Sequence, residues 1–242
     1  MARAKFQPLG VLALGDLAAY VEFSPTLDLE VNAFVQRLAL ALHARRPAGV
    51  RDVVPALGGV ALHFEERLEG DLRVIAGEIV SACIKEGLPD PREVGRDVEV
   101  PVCYEPEFAP DLQDVAKAVR LSPEEVVRRH AAAEYRVLMI GFAPGHAYLG
   151  GLDASLAVPR RATPRAEVPA GSVAIANDQT VVYPYAISGG WSVIGRTPLT
   201  IFDAYRERPS LFAAGDRVRF RPVSRDEFKG DIPPSTRPSF RA

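Results

Sequence analysis

Gly141-Phe142-Ala143-Pro144-Gly145-His146-Ala147-Tyr148-Leu149-Gly150-Gly151-Leu152-Asp153 is the densest part of a segment, Tyr135 to Pro198, that decides the fold. Thr163-Pro164-Arg165, Val168-Pro169-Ala170-Gly171-Ser172, Gln179-Thr180, Gly189-Gly190-Trp191 and Gly195-Arg196-Thr197-Pro198 continue it. Glycine opens backbone angles closed to other residues, and proline fixes φ. Interleaved with Phe142, Tyr148, Trp191 and single arginines, they describe shaped loops between short strands. A flexible linker would carry Ser, Glu and Lys instead.

Helical periodicity is absent from Tyr135 onward. Short strands are expected at Tyr135–Ile140, Ser172–Ile175, Thr180–Tyr183, Trp191–Ile194 and Leu199–Phe202. Arg217-Val218-Arg219-Phe220-Arg221-Pro222 alternates arginine with apolar residues, the mark of a half-buried antiparallel strand. Many short strands with Gly/Pro turns imply a small barrel or sandwich.

The first half reads differently. Strands are expected around Gly15-Asp16, over Val50–Pro55 and over Val60–Phe64. A helix over about residues 27–45 ends at Pro47. A second carries Leu72, Ile75, Ile79 and Cys83 on one face, with Asp71 as N-cap and Gly87 past its end. Val98–Val102 supplies a closing strand, giving the split-βαβ, ferredoxin-like order. Asp111 is placed to cap a short helix bearing Leu112, Val115 and Val119. Ser122-Pro123-Glu124-Glu125 is a helix start with a cap, a first-turn proline and a capping-box carboxylate. The expected domains are an α+β unit over 8–103, a helical connector over 104–133, a β-barrel over 134–223 and a tail over 224–242, with Asp231–Ala242 frayed.

The chain of 242 residues is 48% hydrophobic and 25% charged, enough to build cores without a metal or disulfide. A net charge of −2 gives no reason to expect nucleic acid or an acidic membrane as partner. Cys83 and Cys103 form no Cys-x-x-Cys pair and read as reduced core thiols of a cytoplasmic protein. Val11–Tyr20 is broken by Gly15-Asp16, so neither a signal peptide nor a membrane span is expected.

No motif of a self-sufficient enzyme is present. There is no Walker loop, no Rossmann fingerprint and no Gly-x-Ser-x-Gly elbow. His43, His63, His130 and His146 are dispersed, so no metal site is expected. Arg165 and Arg196 stand in rigid Thr/Pro turns, placed either to clamp a carboxylate or phosphate or to tie their own loops to carbonyls. Gln179 and Thr180 offer an amide and a hydroxyl to a polar substrate, or a satisfied turn. Trp191 is either a stacking platform or a barrel plug. His146 is either an acid or base or an incidental loop histidine. His130 is expected to cap carbonyls at a helix end.

Together these segments resemble one family. Pro101-Val102-Cys103-Tyr104, Pro110-Asp111-Leu112, Leu121–Val127, His130, the Gly141–Asp153 stretch, Pro159–Arg165, Val168–Val173, Gln179-Thr180, Tyr183-Pro184, Gly189-Gly190-Trp191 and Gly195–Pro198 fall in its order. It is the family of the 5-oxoprolinase B subunit, also labelled allophanate hydrolase subunit 1, carboxyltransferase domain subdomain C/D, or KipI-type inhibitor of a histidine kinase.

The resemblance implies a ferredoxin-like N-terminal domain and a cyclophilin-like C-terminal β-barrel. It implies a heteromeric complex that opens 5-oxoproline to glutamate with ATP. The partners there are a biotin-dependent carboxyltransferase-like chain, the C subunit, and a further chain, the A subunit. The chain would then be part of an amide- or lactam-hydrolysing enzyme. The alternatives are a carboxyltransferase component served by a biotin carrier on another chain, or a non-catalytic kinase inhibitor. The candidate site is His146, Arg165 and Arg196 for catalysis. For binding it is Phe142, Pro144, Gly145, Tyr148, Gln179, Thr180, Gly190 and Trp191. The chain departs from the family pattern at His146-Ala147 (usually Phe-Pro), at Asn177-Asp178 (usually Gly-Gly), and at Leu57-Gly58-Gly59 (usually Tyr-Arg-Ser). It departs too around Ile187-Ser188, and at Arg120, where a left-handed glycine is usual.

Overall fold

A computed structural model describes residues 6–229, and the expected frayed tail, Asp231–Ala242, lies outside them. The chain divides into two compact units, residues 1–95 and 96–242.

The first unit holds β1 (Gly10–Ala13), β2 (Ala18–Glu22), α1 (Leu29–Arg45), β3 (Val50–Pro55), β4 (Gly59–Phe64) and α2 (Leu72–Lys85). Its antiparallel sheet has the order β1-β2-β4-β3. Val31, Phe34, Val35 and Leu38 of α1 and Ala76, Val80 and Cys83 of α2 pack on Val21, Val60, Leu62 and Phe64 of that sheet. The helix ends follow local chemistry. Asp28, not singled out by its sequence context, accepts from Glu30 N and Val31 N. Asp71 accepts from Arg73 N as expected, and Gly87 follows α2 at φ 98°.

The closing strand is a correction. Asp97–Val102, β5, does not join this sheet, and β1 takes the place beside β2 instead. The reason lies in β5 itself. Val98, Val100 and Val102 point into the core of the second unit. Asp97 and Glu99 on its other face pair with Arg217 and Arg221.

The second unit continues with α3 (Leu112–Val119), α4 (Pro123–Ala132), β6 (Tyr135–Ile140), β7 (Ala147–Gly150), β8 (Arg165–Val168), β9 (Ser172–Ala176) and β10 (Gln179–Val182). It ends with β11 (Ile187–Gly189), β12 (Ser192–Arg196), β13 (Arg217–Pro222) and α5 (Arg225–Lys229). Seven strands form one sheet in the order β12-β9-β10-β7-β6-β13-β5. Its two edges meet where Cys103 N donates to Arg196 O (2.8 Å) and Arg196 N donates to Cys103 O (3.0 Å), so the sheet is a nearly closed barrel. Gly195 permits this approach, since a Cβ there would lie 2.6 Å from Val102 Cγ1. β13 runs antiparallel to β6 but parallel to β5, so the expected purely antiparallel pairing is corrected to a mixed one. Leu199–Phe202 is not a strand; Phe202 makes only an isolated bridge to Ser210.

The barrel interior takes side chains from all seven strands, among them Val100, Val137, Leu149, Val173, Ile175, Val182, Ile194 and Phe220. α3 and α4 pack on the same core through Leu112, Val115, Ala116 and Val126. Ser122 caps α4 through Glu125 N (3.2 Å), but the Glu125 carboxylate grips Arg128 and Arg129 at 2.7 Å each. Arg120 closes α3 in the left-handed region, φ 57°, where a non-glycine residue costs about 1 kcal/mol.

His130 does not cap a helix end. It is fully buried, with Nδ1 2.8 Å from the Tyr104 hydroxyl and its ring stacked on Phe220. Desolvation holds its pKa down at about 3, so it is neutral.

Candidate functional site

Strand alternation turns a second set of side chains to the outer face of the barrel. Ala174, Ala176, Val181, Tyr183, Trp191 and Val193 cluster there with Val168, Tyr148 and Ile187. The two-stranded β8–β11 sheet borders this face. Gly189 matters here, because a Cβ would come within 2.0 Å of the Tyr183 hydroxyl.

Most of the sequence candidates converge on this face. His146 lies between Phe142, Tyr148 and Tyr183, with ring centroids at 5.4, 4.9 and 5.4 Å, all edge-on. Tyr148 meets Trp191 edge-on at 6.0 Å, and the Arg160 guanidinium lies over the Trp191 ring at 5.4 Å. Trp191 is thus buried on the outer face and does not plug the barrel. Phe142 is 67% exposed and held at φ 71°, an uncommon angle for a bulky residue. Pro144 is exposed beside it, and Gly145, at φ 77°, packs its backbone against Phe202. Gly190 contributes a carbonyl, which accepts from Arg161 N at 2.8 Å. Gln179 shares the outward alternation of Val181, at the opening of β10.

His146 is 2% exposed, and burial pushes its pKa down to about 4. It is a neutral imidazole near pH 7 and no reservoir of protons there. Its Nδ1 has no hydrogen-bond partner among the described residues, so no serine, threonine or cysteine among them pairs with it there.

Arg165 is not a free clamp. Both of its terminal nitrogens donate to the Asp111 carboxylate at 2.7 Å, and Arg161 adds a third contact at 2.9 Å. Asp111 also accepts from Val193 N at 2.7 Å and makes no helix-capping bond, which corrects the expected cap. Burial by itself would raise the Asp111 carboxyl, but the Arg165 hydrogen bonds and the Val193 N–H outweigh it and hold its pKa below the ordinary range. Two guanidinium groups, Arg161 and Arg165, thus share one carboxylate, and Arg161 Nε is buried without a partner among the described residues.

Two candidates are not part of this face. Thr180 is fully buried in the interior, its hydroxyl 3.4 Å from His130 Nε2, so it presents nothing to an outer-face substrate. Arg196 directs Nε at the Ala170 carbonyl (2.8 Å), the loop-tying alternative of its two possible roles. Asp111 as the anchor, and Arg160 and Arg161 as members, are not among the residues that sequence reasoning selects. Their signal was the Pro159-Arg160-Arg161 run followed by Arg165.

A separate apolar groove of about 530 Å³, lined by Tyr104, Pro106, Leu112, Pro123, Val127 and Pro222, contains none of the candidates. Among the described residues no group of three or more His, Cys, Asp or Glu side chains could hold a metal ion. No helix among them is long and apolar enough to cross a membrane.

An aromatic wall, guanidinium groups and a histidine whose Nδ1 has no hydroxyl or thiol partner among the described residues thus lie together on the outer face of the barrel. Comparison with known proteins places the fold in a family. The family model described as "Carboxyltransferase domain, subdomain C and D" matches residues 9–212, and the chain belongs to that family. The 5-oxoprolinase B subunit of Bacillus subtilis (strain 168) is 40% identical over 224 residues, covering 89% of this chain and 93% of the relative. The crystal structure of TTHA0988 is 36% identical with a TM-score of 0.74, covering 93% of this chain but only 41% of that longer one. The K. lactis urea amidolyase shares the fold at 19% identity and a TM-score of 0.69, over 90% of this chain and 15% of its own.

Proposed function

We propose that this chain is the B subunit of a cytoplasmic, ATP-dependent 5-oxoprolinase-type assembly that opens the lactam of 5-oxoproline to glutamate. The observation that carries the reading is the likeness to a 5-oxoprolinase B subunit along 93% of that relative's length. The geometry supports it. A lactam acid is small, flat and anionic, and the outer face of this cyclophilin-like barrel offers Phe142, Tyr148 and Trp191 with the guanidinium charge of Arg160 and Arg161. Opening an amide requires stabilising the charge that develops on its oxygen, and fixed guanidinium groups suit that task.

A chain with no nucleophile–base pair among the described residues of that face works as part of a shared site, with the C and A subunits as partners and ATP consumed by the assembly. The occurrence of this module within a chain more than twice its length supports a partner module. The test is phosphate release from ATP by the chain mixed with its C and A partners. Release dependent on 5-oxoproline and on all three chains is expected. A stable complex that stays silent with 5-oxoproline but transfers a carboxyl group from a biotin carrier would overturn the reading.

A further inference from the structure

We infer that the open edge of the first unit's sheet is an interface between two copies of this chain: β1 pairs antiparallel with β1 of a second copy about a two-fold axis. The interface belongs to residues 9–17 and the exposed side of α2, and it stands apart from the proposed reaction.

β1 ends the sheet order β1-β2-β4-β3 and has β2 as its one strand neighbour among the described residues. The N–H and C=O groups of its outer edge are therefore a template for a further strand. Native sheets ordinarily guard such an edge with charge, proline or a bulge. The opposite edge, β3, has all three. Arg51 and Asp52 are exposed, Pro55 lacks an N–H, and the register breaks between Val50 and Asp52. β1 has none of them. Leu9-Gly10-Val11-Leu12-Ala13-Leu14 carries no charge and no proline, and its register with β2 runs unbroken from Gly10 to Ala13.

Side chains on both sides of that edge are apolar and uncovered. Leu9, Leu12, Leu14 and Leu17 are 63, 55, 49 and 44% exposed. Strand alternation sends Val11 to the helix side, where it packs against the core, and Leu12 to the other side, in register with Tyr20. On the helix side α2 runs beside the edge. Val74, Glu78, Ala82 and Lys85 are exposed there at helical spacing, and with Pro8 and Val11 they line an open groove.

A second copy of the chain meets these features together. The four leucines and Val74 expose roughly 500 Å², more than scattered surface apolar residues present. A two-fold contact then buries about 1,000 Å² in all, the lower end for specific association, which corresponds to a dimer of about micromolar Kd. A two-fold axis sets Leu12 and Leu14 against the same pair running the opposite way, so the apolar row is its own complement. Charge follows the same symmetry. Glu78 and Lys85 have no ion-pair partner among the described residues, and reversing one α2 against the other turns Glu78 toward the partner's Lys85. Because β3 is guarded, the sheet grows from one edge only, so pairing closes at two copies and builds no fibre.

The test is sedimentation velocity on the full chain over about 1 to 200 µM, a range that brackets the expected Kd. The 26.2 kDa chain is expected to pass to twice that mass as concentration rises. Leu12→Lys puts a charge on the edge at an exposed position and is expected to stay monomeric throughout the range. Val54→Lys is the control. It lies at the far end of the same cross-strand row, Leu12–Tyr20–Ala61–Val54, and is expected to leave the dimer intact. In the wild-type chain, amide hydrogen exchange over residues 9–14 is expected to slow at the dimer-forming concentration, a readout that needs no variant to fold.

A monomer at every concentration overturns the inference, and so does a dimer that survives Leu12→Lys. Loss of the dimer in Val54→Lys as well, with the β1 amides unprotected, shows packing through the sheet face and overturns the edge pairing.

Discussion

Replacing Asp111 with alanine separates a structural from a catalytic role for Arg165. The substitution removes an acceptor of four hydrogen bonds, at 2.9 Å from Arg161, 2.7 Å from each terminal nitrogen of Arg165 and 2.7 Å from Val193 N. Breaking a fully buried ion pair costs about 3–5 kcal/mol. The Asp111 side chain is 4% exposed, but those of Arg165 and Arg161 are 29% and 34% exposed and regain some water. The pair therefore contributes less than that range, about 2 kcal/mol, and the stranded Val193 N–H adds about 1 kcal/mol, for a total of roughly 3 kcal/mol.

In a domain of this size that corresponds to a Tm lower by roughly 6–12 °C. Calorimetry or urea titration reads it directly. Asp111→Asn keeps an acceptor for Val193 N and is expected to fall between wild type and Asp111→Ala. A cycle with Arg165→Ala should give a coupling of at least about 1 kcal/mol, because the two side chains act as a unit. A Tm shift below about 1 °C, or additive single mutants, would refute the argument and return Arg165 to the substrate.

Three further outcomes follow from the same geometry. Stability should fall as pH drops below about 6.5, because His130 and His146 titrate at about 3 and about 4 when folded but near 6.5 when unfolded. Between pH 6.5 and 4 the unfolded chain binds up to two more protons, a slope of at most about 2.7 kcal/mol per pH unit. His146→Phe should halve it, and an unchanged slope in urea titrations at stepped pH contradicts the assignment. Arg196→Ala frees the Ala170 carbonyl and should cost about 1 kcal/mol with turnover reduced less than about tenfold; a thousandfold loss restores a catalytic role. Gly195→Ala drives a methyl group toward Val102 and should destabilise by about 1–3 kcal/mol, checked by denaturant midpoint.

What could be read from the sequence was what short range decides. The Asp71 and Ser122 caps, Pro123 at the first turn and the alternation of Val218 and Phe220 are local chemistry, and each is found in place. Strand partners were harder. Val98–Val102 looks the same whichever sheet it enters, and its ladder with β13 joins positions 120 apart in the chain. A signal was available in Asp97 and Glu99 alternating against Arg217, Arg219 and Arg221, but only to a reader pairing those two segments. The same distance hid the site's anchor. Asp111 and Arg165 are separated by 54 positions, and Asp111 in front of an amphipathic helix has the signature of an ordinary cap. Thr180 was misplaced by one step of alternation, since Gln179 faces outward and Thr180 inward. His146 stood out as a residue type, but its edge-on rings and solitary Nδ1 exist only once β7 and β10 bring Tyr148 and Tyr183 together.

The ladder between β5 and β13 also bears on how the protein is made. On the ribosome the first unit is complete when residue 95 has emerged, and all of its strand partners are already present. β5 follows at once, yet its partner is not synthesised until Arg217–Pro222. Until Arg196 is made the nascent chain carries a valine-rich strand with both edges open, and its ladder edge stays open until Arg217–Pro222, the condition under which strands pair with the wrong neighbour. Long-range closure of this kind is slow. A chain truncated before residue 217 would keep its first unit and lose the barrel, so premature stops and late-chain proteolysis should leave a folded N-terminal half trailing an aggregation-prone remnant.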